Sequence, residues 1–259
     1  MLRLLVMLGS AAAASDAIGS NRSVAASDMI GYYSWNWGAG STGPAGATVG
    51  VAFTGLIDVD TAIAYYTPGA AWCCPAWPAG VTPYITLGGG NSAGVFDVAA
   101  LAAIDDTAAQ KILAANYSGV VFDVEEVSGS ADEIVPAFSA AFAACKAAGL
   151  TVVVTTSHSA PYACDSTSDA IAFVKAWAAD ENIDVLSPQL YSSGSEGAPE
   201  FAETSSCADA GCTWDLYVGA HAAFVPSIVV DTQYDEVTSW FESNYGIATA
   251  GFIQWAQVV

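Results

Sequence analysis

Eight short runs of β-branched and aromatic residues constrain this chain more than any other feature. They open near Met29, Val49, Pro83, Gly119, Leu150, Asp184, Pro226 and Ala250. Successive runs start 20, 34, 36, 31, 34, 42 and 24 residues apart, close to one strand-plus-helix unit each. Helix-like stretches lie between the later ones. Val98–Asn116 is rich in Ala, Leu and Ile, and Ala131–Ala148 stops at Gly149. Ser168–Asp180 and Asp235–Asn244 continue the alternation. Eight alternating units in 259 residues predict a (β/α)8 barrel. A doubly wound open sheet shares this periodicity and is the alternative. The sequence reaches Val259 directly after the eighth run, so the final helix is expected to be missing. No Pro- or Ser-rich linker interrupts residues 29–259, which read as one domain.

Before that domain, residues 1–17 combine Arg3, a short apolar stretch from Leu4 and the small residues Ala12-Ala13-Ala14-Ser15. This is the pattern of a cleaved secretory signal, and it is too short for a membrane span. Residues 18–28 form a short N-terminal segment. Export agrees with six cysteines, all beyond residue 72. Cys207 and Cys212 are expected to close a small loop, Cys145 reads as a buried thiol, and Cys73 and Cys74 are adjacent. Asn21-Arg22-Ser23 and Asn116-Tyr117-Ser118 permit glycosylation.

There are 26 Asp and Glu against 5 Lys and Arg, a formal net charge of −21. Such a charge repels phosphate backbones and anionic lipid, which argues against nucleic-acid or membrane-surface partners. His158 and His221 are the two histidines and lack the short spacing of a zinc site, so no metal or organic cofactor is expected. A secreted monomer is the expectation.

The most informative segment for chemistry is Gly119-Val120-Val121-Phe122-Asp123-Val124-Glu125-Glu126. Strand side chains alternate, so Val120, Phe122 and Val124 share one face while Val121, Asp123 and Glu125 share the other. The apolar face suits the helix layer, leaving two carboxyls pointing into the barrel. Glu125 falls at the C-terminal end of its strand, where barrel enzymes assemble their sites. Two neighbouring carboxyls in a low dielectric resist ionising together, which suits a general acid at Glu125 with Asp123 one layer below.

Ser118-Gly119-Val120-Val121-Phe122-Asp123-Val124-Glu125 resembles the signature strand of glycoside hydrolase family 18, the chitinase family, which runs Asp-Gly-x-Asp-x-Asp-x-Glu. The Gly, the last Asp and the Glu match; Ser118 and Val121 stand where the family has Asp. Tyr84–Gly90, reading Tyr-Ile-Thr-Leu-Gly-Gly-Gly, is similar to the family's third strand, with Thr86 for Ser. Ser187-Pro188-Gln189-Leu190-Tyr191 resembles the sixth strand of the small plant-type chitinases, with Ser192 in place of a following Asp or Asn. Gly251-Phe252-Ile253-Gln254-Trp255 is similar to the eighth strand, and Ile30-Gly31-Tyr32-Tyr33 fits the first.

The resemblance implies hydrolysis of β-1,4 bonds in chitin or related N-acetylglucosamine polymers with retention. Glu125 would be the proton donor and the substrate's own acetamido oxygen the nucleophile. Asp123 would stabilise the charged intermediate, while Tyr191 and Gln189 would hold the acetamido group or the catalytic water. Trp255 would floor the sugar, with Tyr32 and Trp35 as further substrate-binding residues. A non-catalytic, lectin-like member of the same fold is the rival reading, because Val121 and Ser192 depart from the pattern.

Trp35, Trp37, Trp72, Trp77 and Trp214 fall in Gly- and Pro-rich loops, where exposed rings serve sugars and covered ones pack the rim. Finally, Gly90-Asn91-Ser92-Ala93-Gly94 has the spacing of a nucleophile elbow, and a serine esterase using Ser92 with His221 is a third, weaker possibility.

Overall fold

The structure is a computed structural model that describes residues 28–37, 41–70 and 73–257. The proposed signal at 1–17, nearly all of the 18–28 segment, Asn21 and Trp72 lie outside the described residues. Six strands come first: β1 (Met29–Trp35), β2 (Val49–Phe53), β3 (Thr82–Gly88), β4 (Gly119–Val124), β5 (Thr151–Ser157) and β6 (Val185–Gln189). The seventh position is shared by two short pieces, β7 (Ala223–Phe224) and β8 (Ser227–Ile228), and the eighth is β9 (Gly251–Gln254). Pro226 lies between the two pieces and has no N–H to give the ladder, which accounts for the split. Neighbouring staves are parallel, β9 pairs with β1, and β5 pairs with β6. The sheet therefore closes on itself as an eight-stave barrel, and the open doubly wound sheet is excluded.

Alternation along the strands sorts the core into two. Outside the barrel, Val120, Phe122 and Val124 of β4 pack with Phe138 and Phe142 of the helix α4 (Ala131–Ala147). Inside it, Tyr33, Val51, Tyr84, Val121, Val153, Val185, Val225 and Ile253 form a separate apolar plug. Gly119 is required by this plug, since a Cβ there would come within 2.8 Å of the Tyr84 ring.

The helix-like stretch at Val98–Asn116 is two helices, Val98–Ala102 and Asp106–Ala114. Asp105 caps the second, accepting from the Ala108 N–H at 2.9 Å, and this cap outcompetes a continuous Ala-rich helix. Replacing Asp105 by Ala is expected to lower stability by about 1 kcal/mol, read as a lower Tm. A Tm equal to the wild type's would show that the cap contributes nothing. The helices Val59–Tyr65 and Ser205–Ala210 are additions to the sequence-based series. Among the described residues no helix follows β9, and no helix is long and apolar enough to cross a membrane. Cys207 and Cys212 are paired as expected, and the adjacent Cys73 and Cys74 are paired with each other. Cys145 is a fully buried free thiol.

Candidate active site

The barrel interior changes chemistry in layers towards the C-terminal ends of the strands. Val121, Val153 and Val185 are register partners across β4, β5 and β6 and form an apolar floor. One layer up, Asp123, Thr155 and Ser187 are partners, all nearly or wholly buried. At the mouth, Ser157 and Gln189 are partners, and Glu125 stands beside them just beyond the end of β4. Strand parity and barrel closure together convert the Asp123-Val124-Glu125 spacing into two inward carboxyls stacked along the barrel axis.

Gln189 ties the pair. Its Nε2 donates to Asp123 Oδ1 at 3.0 Å and to Glu125 Oε1 at 3.2 Å, while Ser157 Oγ donates to Glu125 Oε2 at 3.3 Å. Burial first, then the Glu125 charge, pushes the Asp123 carboxyl well above the ordinary carboxylate range. Glu125 is also raised, chiefly by burial and to a smaller extent by the charge of Glu126, against the lowering effect of its hydrogen bonds with Gln189, Ser157 and Asp123. One proton is thus retained on the pair at pH values where a free carboxyl has lost it.

Tyr191, just past β6, has its hydroxyl buried with no hydrogen-bond partner among the described residues. Burial holds that hydroxyl protonated, and the nearby Tyr33, Asp123 and Glu125 reinforce this. Its ring stacks on Trp255 at 5.8 Å. Trp255 in turn lies 4.8 Å from Trp35, and Trp35 is stacked at 5.6 Å on Trp37, which is 59% exposed. One flank of the mouth is therefore an aromatic bank reaching solvent.

The other flank is a polar cavity of about 620 Å³ lined by Glu125, His158, Tyr162, Gln189, Tyr191 and Glu200, among others. His158 Nε2 lies 3.1 Å from Glu200 Oε2, and Ser192 Oγ donates to the same carboxylate at 2.6 Å.

Of the expected site residues, Asp123, Glu125, Gln189, Tyr191, Trp255 and Trp35 converge on this mouth. Tyr32 does not. It is fully buried outside the barrel, with its ring against Trp77 at 6.2 Å, and it is Tyr33 that points inward, with its hydroxyl 3.4 Å from Ser227 Oγ. Adjacent strand residues face opposite ways, so only one of the two tyrosines can face the interior. Trp77 stacks on Tyr66, and Trp214 is buried with its Nε1 donating to the Phe201 carbonyl, so both serve packing.

The Ser92–His221 pairing is also overturned. Ser92 follows β3 at the C-terminal rim, whereas His221 precedes β7 at the opposite, N-terminal rim. His158, Tyr162 and Glu200 were not singled out by sequence reasoning as site residues. Only His158 carried a signal, its place at the end of the fifth strand. No group of three or more His, Cys, Asp or Glu among the described residues is arranged to hold a metal ion.

No family model matches the chain, and no curated protein matches it in sequence. Among solved structures, a provisionally assigned chitinase A from Streptomyces coelicolor matches with a TM-score of 0.50 and 15% identity. The match covers 89% of this chain and 92% of that one. At that identity the likeness shows the fold, which both chains share as a (β/α)8 barrel.

Proposed function

We propose that this chain is a retaining glycoside hydrolase that cleaves β-1,4 bonds in chitin or a related N-acetylglucosamine polymer. One observation carries the reading: two carboxyls, the buried Asp123 and the half-buried Glu125, both bound by Gln189 at the mouth of a barrel beside a bank of aromatic rings. A general acid needs a proton and access to the leaving oxygen; burial raises the proton affinity of Glu125, and its carboxyl lines the cavity at the mouth.

In the reaction, Glu125 protonates the glycosidic oxygen as that bond breaks. The acetamido carbonyl oxygen of the same sugar attacks the anomeric carbon and forms an oxazolinium ion. Asp123 stabilises its nitrogen, and the Tyr191 hydroxyl donates to the acetamido oxygen, a role supported by its lack of any protein partner. Glu125, now a carboxylate, takes a proton from water as the water oxygen bonds the anomeric carbon on the face the leaving group left, which breaks the bond to the oxazolinium oxygen and restores the acetamido group; Gln189 orients that water. Trp255 and Trp35 support the sugar rings by stacking. The molecule works as an exported monomer, an environment in which its two disulfides persist.

Proton NMR of the first product formed from chitotetraose tests the reading. The β-anomer is expected to appear before mutarotation, and the α-anomer appearing first would rule out participation of the acetamido group. Tyr191→Phe removes one hydrogen bond to that group and is expected to lower kcat/KM roughly two- to tenfold. An unchanged value would remove Tyr191 from the site. The lectin-like alternative keeps one specific observation in its favour, the apolar Val121 beneath Asp123. It requires sugar binding with no product at all.

A further inference from the structure

We infer that Tyr162 and Glu126 form a clamp that positions Glu125 and keeps its proton in place. The inference rests on the reading of Glu125 as the proton donor. Glu125 lies beyond the regular ladder of β4, so strand pairing does not hold its backbone, although Gln189 and Ser157 reach its carboxyl. Instead, residues 125–128 are stitched to loops on both sides. From the β3 side, the Phe96 N–H donates to the Glu126 carbonyl at 3.0 Å, and the Ser128 N–H donates to the Phe96 carbonyl at 2.8 Å. From the β5 side, the Tyr162 and Ala163 N–H groups both donate to the Glu125 carbonyl, at 3.1 and 3.3 Å, and the Val127 N–H donates to the Ala163 carbonyl at 2.8 Å.

The side chains complete the arrangement. Tyr162 Oη donates to Glu126 Oε1 at 2.7 Å, which turns the Glu126 carboxylate towards the β5 loop. Tyr162 Oη and Glu125 Oε2 face the same small space over Gly90. A Cβ on that glycine would stand 3.1 Å from the first and 2.7 Å from the second. The polar and titratable groups around Glu125 are Asp123 and Glu126 from its own segment, Tyr33 from β1, Ser157, His158 and Tyr162 from β5 and its loop, and Gln189, Tyr191, Glu200 and Glu203 from β6 and its loop. Among these, the Glu126 charge opposes ionisation of Glu125. Tyr162 is 44% exposed, and its partial burial, its hydrogen bond to Glu126 and the surrounding carboxylates all favour the protonated hydroxyl, so it remains a donor. Without that hydroxyl, the partly exposed Glu126 side chain is free to swing into water and its influence is screened.

The test is a carboxyl 13C NMR titration of Glu125 in wild type, Glu126→Gln and Tyr162→Phe, with the resonance assigned by its loss in Glu125→Gln. The midpoint is expected to fall in both variants and further in Glu126→Gln. The high-pH limb of kcat/KM on chitotetraose is expected to move down with it. Tyr162→Phe keeps the ring, and its Tm reports whether the fold is intact. A midpoint unmoved in both folded variants overturns the clamp, whatever the activity. A midpoint that falls while none of the proteins cleaves the sugar upholds the clamp and removes the glycosidase reading.

Discussion

Glu125→Gln is expected to lower kcat on chitotetraose by a factor of about 10² to 10⁴, with the Kd for the sugar little changed. The amide keeps the side chain's shape and can still accept from Gln189 or Ser157, which now approach its two carboxylate oxygens at 3.2 and 3.3 Å. It has no proton to give to a leaving oxygen. The effect thus falls on the chemical step and not on binding, a split read by initial rates beside calorimetry. The pH dependence has a definite sign. In the proposed mechanism the working form of Glu125 is the acid, and burial raises its proton affinity, so wild-type activity is expected to persist above the ordinary carboxylate range. It then declines as the pH rises through the raised value. A variant retaining rates within about tenfold of wild type would place the donor elsewhere.

Asp123→Asn is expected to reduce the rate by at least about tenfold and at the same time to make the protein more stable at alkaline pH. The rate falls because an amide cannot carry the charge that balances the oxazolinium ion. Stability moves the other way for a reason of linkage. Asp123 is 1% exposed and its proton affinity is raised by folding, mainly through burial. Such a group contributes stability in full at low pH, below its unfolded value, and loses it as the pH rises through its folded value. Asn stays neutral throughout and still accepts from Gln189 Nε2. Melting curves at about pH 3 and pH 8 are expected to agree closely at the lower pH, with the variant melting higher at the upper. A wild type that melts higher at pH 8 would mean that Asp123 is buried as a favourable charge.

How much of this was legible in the sequence follows from which forces are local. Strand alternation is a local property, so Asp123 and Glu125 could be assigned to the interior and Val120, Phe122 and Val124 to the helix layer, and the layered core agrees. Gln189 and Tyr191 were expected only from the resemblance of the Ser187–Tyr191 segment, and their spacing of two residues is consistent with a shared inward face. Tyr32 failed because two adjacent tyrosines carry no alternation, and only the register with β9 decides which faces inward. The break at Asp105 lay within an Ala-rich run whose propensity favours a single helix, and one capping carboxylate outweighed it. His158 and Tyr162 lie on the loop after β5 and Glu200 on the loop after β6, 42 residues beyond His158, so they meet only when the two strands pair and no spacing rule reports them. The Cys73–Cys74 pair was hidden for a similar reason, since adjacency restricts bonding geometry without saying whether the loop supplies it.

In the proposed mechanism the substrate's acetamido oxygen is the nucleophile, and the barrel supplies only the acid and the support around it. The decisive experiment gives the wild-type protein chitotetraose and its fully deacetylated counterpart at equal concentration and follows new reducing ends. Cleavage of the first and none of the second is predicted, because a free amine has no carbonyl oxygen to attack the anomeric carbon. Equal cleavage of both would contradict this mechanism by moving the nucleophile to the protein, and binding of chitotetraose with no cleavage of either would make this a sugar-binding barrel and not an enzyme.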